Sequence, residues 1–243
     1  MSVDVKKSNY KGQNGGVIDI SINATDQLAE VERMLGNLSK KAPSTLKSAV
    51  NSTAKKMNER LHEQAKTTYA SRQINYKKNI KIRRATVSTL TARLHTSGER
   101  TAMSKHKVSP TRLAHGKGRP KQYRAKVLQS SPMTVMKQGD LKSFMIKFSS
   151  GHKALVQKDP EGDPHRREGT KGQYTPDGAA KRIKKYGRGA DMTRIVEKKA
   201  LSIAEMLGSP KVYGIVESGM GSLLQQEVEK FVAKTIEKGT AKK

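Results

Sequence analysis

From Pro43 the chain places an apolar residue at every third or fourth position. Leu46, Val50, Met57, Leu61 and Ala65 form the stripe, and Asn51, Lys55, Asn58 and Arg60 fall outside it. This period predicts one long amphipathic helix from Pro43 to about Tyr69, with the proline suited to its first turn. A helix of that length needs a matching apolar surface along one side. The rest of the chain offers little: 34% of the 243 residues are apolar, 4% are aromatic and none is Trp. A self-sufficient globule carries about 45–50% apolar residues. The expected core is therefore small, with part of the chain left as loop and part of its burial completed by partners.

VIDISIN (17–23) alternates Val17, Asp19 and Ser21 with Ile18, Ile20 and Ile22, which predicts a strand with one buried face. Thr25 then reads as a helix cap with Asp26 in the first turn, and Leu28, Val31, Leu35 and Leu38 keep helical spacing. Further strands are expected at 80–87, at 89–96 with Leu90, Ala92 and Leu94 on one side, and at 122–129. KSFMIKF–SSG–HKALVQK reads as a hairpin with Phe144, Ile146 and Phe148 on one face. A helix is expected over about 191–207. A last helix opens on Ser222 and Gln225 as a capping box, carries Leu224, Val228, Phe231 and Ile236, and ends at Gly239. Residues 1–16 read as a flexible arm, 17–158 as an α+β core, 159–189 as a basic loop and 190–243 as a C-terminal helical segment. The fold class that follows is α+β: a small antiparallel sheet packed by a long amphipathic helix, with long basic loops and a C-terminal helix.

The chain carries 49 Lys and Arg against 21 Asp and Glu, a net charge of +28. Such a charge draws in polyanions over several ångströms, so nucleic acid, an acidic protein surface and an anionic membrane are the candidate partners. No run approaches the ~20 apolar residues that span a bilayer. The opening MSVDVKKSNYKGQNGG lacks the apolar core of a secretory signal, so a soluble protein made in the cytoplasm is expected. The absence of cysteine removes disulfides, thiolate metal sites and cysteine nucleophiles together.

No catalytic pattern emerges. LHEQAK (61–66) begins like a zinc-protease helix, but Lys66 stands where the second histidine is needed, so His62 and Glu63 read as ordinary surface. The six histidines show no metal-ligand spacing. HGKGRPK (115–121) lacks the order of a phosphate loop, and ESGMGS (217–222) has no serine between its glycines. The expectation is a protein that is not an enzyme, with no cofactor and no metal. What remains is basic. INYKKNIKIRRAT (74–86) sets Lys77, Lys78, Lys81, Arg83 and Arg84 among Ile74, Ile80 and Ile82. Lys105 to Lys147 includes Lys117, Arg119, Lys121 and Arg124 against Asp140 alone, and Arg182, Lys184 and Lys185 lie in the later loop. Tyr76, Tyr123, Tyr174 and Tyr186 are too isolated to form a base-stacking platform, so any nucleic-acid contact would be sequence-blind and made to phosphates.

Three blocks together resemble the minor tail protein Z family of tailed bacteriophages, among the tail-completion and head–tail joining proteins. The first, residues 42–98, runs from a helix with Ala49, Asn51, Thr53 and Ala54 through the KKNIKIRRA segment to a strand ending in Ser97-Gly98. The second is DLKSFMIKFSSGHKALVQKDP (140–160), and the third is ALSIAEMLGSPKV (200–212) with the helix after it. The resemblance implies a virion component made in the host cytoplasm and placed at the head-proximal end of the tail. Such a protein works as a ring, taken as a hexamer, that completes the tail and joins it to the filled head. The implied partners are further copies of itself, neighbouring tail-terminator, tail-tube or connector proteins and the end of the packaged DNA, with no membrane. In that setting Ile74, Ile80 and Ile82 would point inward, and the lysines and arginines beside them would meet an acidic ring or DNA. The alternative is a basic, non-enzymatic protein that binds nucleic acid without regard to sequence.

Overall fold

A computed structural model describes residues 2–10, 15–114, 120–138, 141–148, 150–158 and 195–241. The fold is α+β, and the chain divides into two compact units. One is Met1–Thr101, Leu128–Ser130 and Ala200–Lys243; the other is Ala102–Val127 and Ser131–Lys199. The first unit contains strands β1 (Ser2–Asn9), β2 (Gly15–Asn23), β3 (Lys81–Arg83) and β4 (Thr91–Ala102). The second contains β5 (Lys107–Ser109), β6 (Arg124–Lys126), β7 (Thr134–Val135), β8 (Lys137–Gln138), β9 (Leu141–Lys142), β10 (Phe144–Lys147), β11 (Lys153–Lys158) and β12 (Ile195–Glu197). β13 (Lys199–Ser202) then returns to the first sheet, whose order is β1-β2-β4-β13 with β3 also paired to β4.

The first unit is built on the expected stripe. Helix α1 (Leu28–Leu35) buries Val31 and Leu35 and stops at Gly36, whose φ of +51° suits glycine. Helix α2 (Ala42–Thr68) has proline in its first turn and buries Leu46, Val50, Met57, Leu61 and Ala65. Asn58, expected outside the stripe, is buried as well. Ile18, Ile20 and Ile22 of β2 are buried and pair with Thr96, Leu94 and Ala92 of β4. The alternation in both strands therefore gives the sheet one apolar face, which α2 and helix α4 (Ile203–Leu207) cover.

The structure corrects several expectations. Ser2–Asn9 is a strand paired with β2 along its whole length, not an arm. Thr25 does not cap α1, which has Gln27 at its N-cap position and no side-chain cap; Thr25 opens a short 3-10 turn instead, its N–H and hydroxyl donating to Asn23 Oδ1 at 3.0 and 2.6 Å. Where a helix is expected, the described part, 195–207, holds β12 and β13 before the short α4, because pairing with β11 and with β4 overrides a weak helical spacing. The capping box in this region is Ser202 with Glu205, whose side chains each accept from the other residue's backbone N–H. The terminal helix α5 (Met220–Thr240) starts ahead of Ser222, with no side-chain cap, and runs through Gly239. It buries Leu223, Leu224, Glu227, Val228 and Val232, while Ile236 is exposed.

α2 and α5 pack on each other, and their contact contains one buried charge. Glu227 is 2% exposed and its Oε1 accepts from Lys56 Nζ at 2.5 Å. Burial pushes the Glu227 carboxyl up. The bond from Lys56, the Ser52 hydroxyl and the charges of Lys56 and Lys230 outweigh it and hold the carboxyl below its ordinary 4.5. Removing one partner of such a pair leaves a charge stranded in the interior. Lys56→Ala is expected to cost about 2 kcal/mol, less than for a fully buried pair because Lys56 is half exposed to water. Adding Glu227→Met should recover most of that loss. The pair's contribution is complete above pH 4.5 and fades as pH falls through the lowered folded value. Denaturant midpoints of the two variants check this; equal stability of Lys56→Ala and the parent would refute it.

In the second unit β10 and β11 form the expected hairpin, with Gly151 at φ +83° in its turn, and β12 extends it on the other side of β11. The buried residue of β10 is Met145, while Phe148 is exposed. β5, β6 and β7 make a second small sheet around Val108, Tyr123 and Ala125. The loop expected at 159–189 lies outside the described residues.

Candidate polyanion interface

The INYKKNIKIRRAT segment is held from beneath. Tyr76, in the short helix α3 (Tyr76–Asn79), is 0% exposed, and its hydroxyl bonds the Ser71 hydroxyl at 3.0 Å. Ile80 is buried, and Ile74 and Ile82 are partly so. The Asn75 side chain caps α3 by accepting from the Lys78 N–H. At the far end Asn51 of α2 grips the backbone of Ala85 twice, its Nδ2 donating to the carbonyl at 3.1 Å and its Oδ1 accepting from the N–H at 2.8 Å. A buried tyrosine and a doubled amide contact therefore fix the segment in position, and its Lys77, Lys78, Lys81, Arg83 and Arg84 all stand exposed.

The strand register then adds a residue that no local reading finds. Arg83 of β3 lies directly opposite Arg93 of β4, and Lys81 lies opposite His95. Opposed residues in an antiparallel pair share a face, so Lys81, Arg83, Arg93 and His95 stand together on the solvent side of the sheet. Across β4 the same rows continue to Asp19 and Ser21 of β2 and then to Lys6 and Asp4 of β1. Asp19 Oδ1 meets His95 Nδ1 at 2.7 Å, so the charges in that row are partly matched. In the Arg83–Arg93 row the neighbour on β2 is the neutral Ser21, and the nearest carboxylate in the row, Asp4, is one strand further away. Like charges directly across a strand pair are destabilising, by a few tenths of a kcal/mol to ~1 kcal/mol, unless an anion lies between them. Lys77 is partly neutralised by Glu59 at 3.1 Å, which leaves Lys78 on α3 and, on and beside the strand pair, Lys81, Arg83, Arg84 and Arg93.

Lys121 and Arg124 belong to the second unit and are exposed. On the β5–β6 pair Lys107 faces Lys126 and Arg124 faces Ser109, so these cations also share one strand face. Lys117, Arg119, Arg182, Lys184 and Lys185 lie outside the described residues. Tyr76 and Tyr123 are buried and cannot stack on a base, and Tyr174 also lies outside, as does Tyr186.

His62 sits on α2 with its ring 6.3 Å from that of Tyr76. Burial first, and then the charges of Lys66 and Lys77, lower its pKa from 6.5 against an opposing contribution from Glu63. Among the described residues no group of three or more His, Asp or Glu is arranged to hold a metal ion. None of the described helices is long and apolar enough to cross a membrane. No protein-family model, characterised protein or solved structure matches the chain.

Proposed function

We propose that the chain is a non-enzymatic structural protein of a tailed bacteriophage, one that completes the head-proximal end of the tail as a ring and helps join it to the head. In this reading the solvent face of β3 and β4 is the surface it lays against DNA near the tail entrance. The observation that carries the contact is the Arg83–Arg93 opposition with Lys81 on the same strand face and the exposed Arg84 next in the chain: a cluster of cations with no aromatic group exposed among them. That arrangement suits phosphates and carries no means of reading bases. The virion setting rests on the three sequence blocks.

The test is one variant and two measurements. Lys81, Arg83, Arg84 and Arg93 are all changed to Ser, and binding to short duplex DNA is followed against salt. Each lost phosphate contact removes about 0.9 from the log–log salt slope, so losing four should flatten it by about 3.6, and the affinity near 0.1 M salt should fall by about a hundredfold or more. The same variant should fail to join isolated tails to filled heads. If tails still join and DNA binding is lost, the face is no part of joining. If DNA binding is lost and the parent neither forms rings nor acts on tails, the protein is a stand-alone sequence-independent DNA binder, the second reading that this same face favours. An unchanged salt slope would remove the DNA contact altogether.

A further inference from the structure

We propose that β1 is a docking edge for a second copy of this chain, two β1 strands pairing antiparallel about a two-fold axis through Val5. β1 is paired with β2 along all eight residues, and among the described residues no strand pairs with its other side. That side presents a row of backbone N–H and C=O groups with no strand partner, a template for another strand. Lysines on an edge usually discourage such pairing, and Lys6 and Lys7 stand here. Their placement with Asp4 instead selects one arrangement.

In the β1–β2 register Asp4 lies opposite Ser21 and Lys6 opposite Asp19, on the solvent face, while Val5 lies opposite the buried Ile20 on the inner face. A two-fold axis through Val5 puts Asp4 of each copy opposite Lys6 of the other, and the two Val5 side chains opposite one another. Shifting the axis by one residue either way destroys this. Centred on Asp4 the strands oppose two carboxylates, and centred on Lys6 two ammonium groups. Opposite charges across a strand pair stabilise and like charges repel, so the Asp4–Val5–Lys6 triplet favours itself in one register and disfavours the neighbouring ones. Lys6 would then stand between Asp19 of its own chain and Asp4 of the other.

The inner side of this edge is also incompletely filled. A cavity of about 470 Å³ opens there, lined by Val5, Lys7, Pro210, Tyr213, Gly214 and Glu217. Lys7 lies over the Tyr213 ring, with Nζ 5.8 Å from its centre, and the next residue after Gly214, Ile215, is 56% exposed. A second Val5 arriving beside the first would cover apolar surface at the mouth of this cavity. A two-fold contact closes on itself and does not propagate around a ring. It is therefore the form of the free protein, separate from ring assembly, and does not rest on the function proposed above.

Charge exchange tests it on the full, nuclease-treated chain by sedimentation velocity over about 1–100 µM. The parent should pass from monomer to dimer. Asp4→Lys and Lys6→Asp should each weaken the dimer about tenfold, since each turns two attractive cross-strand pairs into repulsive ones. The double variant Asp4→Lys/Lys6→Asp should return to parental affinity. Circular dichroism confirms that each variant is folded, and recovery in the double variant cannot come from a misfolded chain. A parent that stays monomeric at 100 µM overturns the proposal. So does an association indifferent to either single change, or a double variant no better than the singles. Tail joining by the double variant is scored separately, so loss of the dimer and loss of the virion role are told apart.

Discussion

Tyr76→Ala is expected to destabilise the first unit by about 3–5 kcal/mol, the range for emptying a large aromatic site in a packed interior. The residue sits in a strongly basic stretch of the sequence, between Asn75 and Lys77, yet its side chain is 0% exposed. Its hydroxyl is bonded to the Ser71 hydroxyl and lies 3.6 Å from Met206 Sδ of α4, so the ring fastens α3 to the interior. Tyr76→Phe keeps the ring and loses only the hydroxyl contacts, for about 1 kcal/mol. Denaturant titrations should show a shifted midpoint at constant slope for both variants. A loss below about 1 kcal/mol for the alanine variant would mean that the segment is not anchored in the core. Because the same ring holds the segment that carries Lys77 and Lys78, the alanine variant should also bind DNA more weakly than its exposed charges alone would suggest.

The second large effect is acid sensitivity of the second unit through His106. This side chain is 1% exposed, and burial lowers its pKa from 6.5 to about 4. Above pH 6.5 the imidazole is neutral in both the folded and the unfolded chain, and pH has no leverage through it. Between 6.5 and 4 the unfolded chain takes up the proton and the folded chain refuses it, so stability drops as pH falls. The loss should reach about 3 kcal/mol by pH 4, because a tenfold rise in proton concentration favours the unfolded chain by ~1.4 kcal/mol. This window lies above that of the Lys56–Glu227 pair, which weakens only as pH falls below 4.5. His106→Met should abolish the dependence between pH 6.5 and 4. An unchanged pH slope in that variant would show that another group is responsible.

Periodicity carried the reading furthest wherever one face of an element is buried. The Leu46–Ala65 stripe, the Ile18–Ile22 alternation and the β10–β11 hairpin are found as expected, because burial on one side writes a period of 3.6 or 2 into the sequence. β1 left no such mark. SVDVKKSN is an edge strand with mostly exposed side chains, and its pairing with β2 is made by the backbone, which the sequence does not display. β12 and β13 were obscured because each is only three or four residues long, too short for two periods to be told apart. Tyr76 and His106 were missed as core residues for a related reason, since Tyr76 opens a four-residue helix and His106 precedes a three-residue strand, each too short to show a period.

Composition and local spacing by themselves determined the α+β class, the long helix, the strand containing Ile18, Ile20 and Ile22 and the excess of cations in the 74–86 segment. These are properties of neighbouring residues, fixed by charge and by the geometry of single elements. Only the tertiary structure decided that Arg83 stands against Arg93 and that Asn51 grips Ala85. The same is true of the β1 edge, where Asp4 and Lys6 flank Val5 on a strand with one open side. Such relations join residues 10 or more apart through register and packing, and a strand shifted by one residue would undo every one of them without altering the sequence pattern.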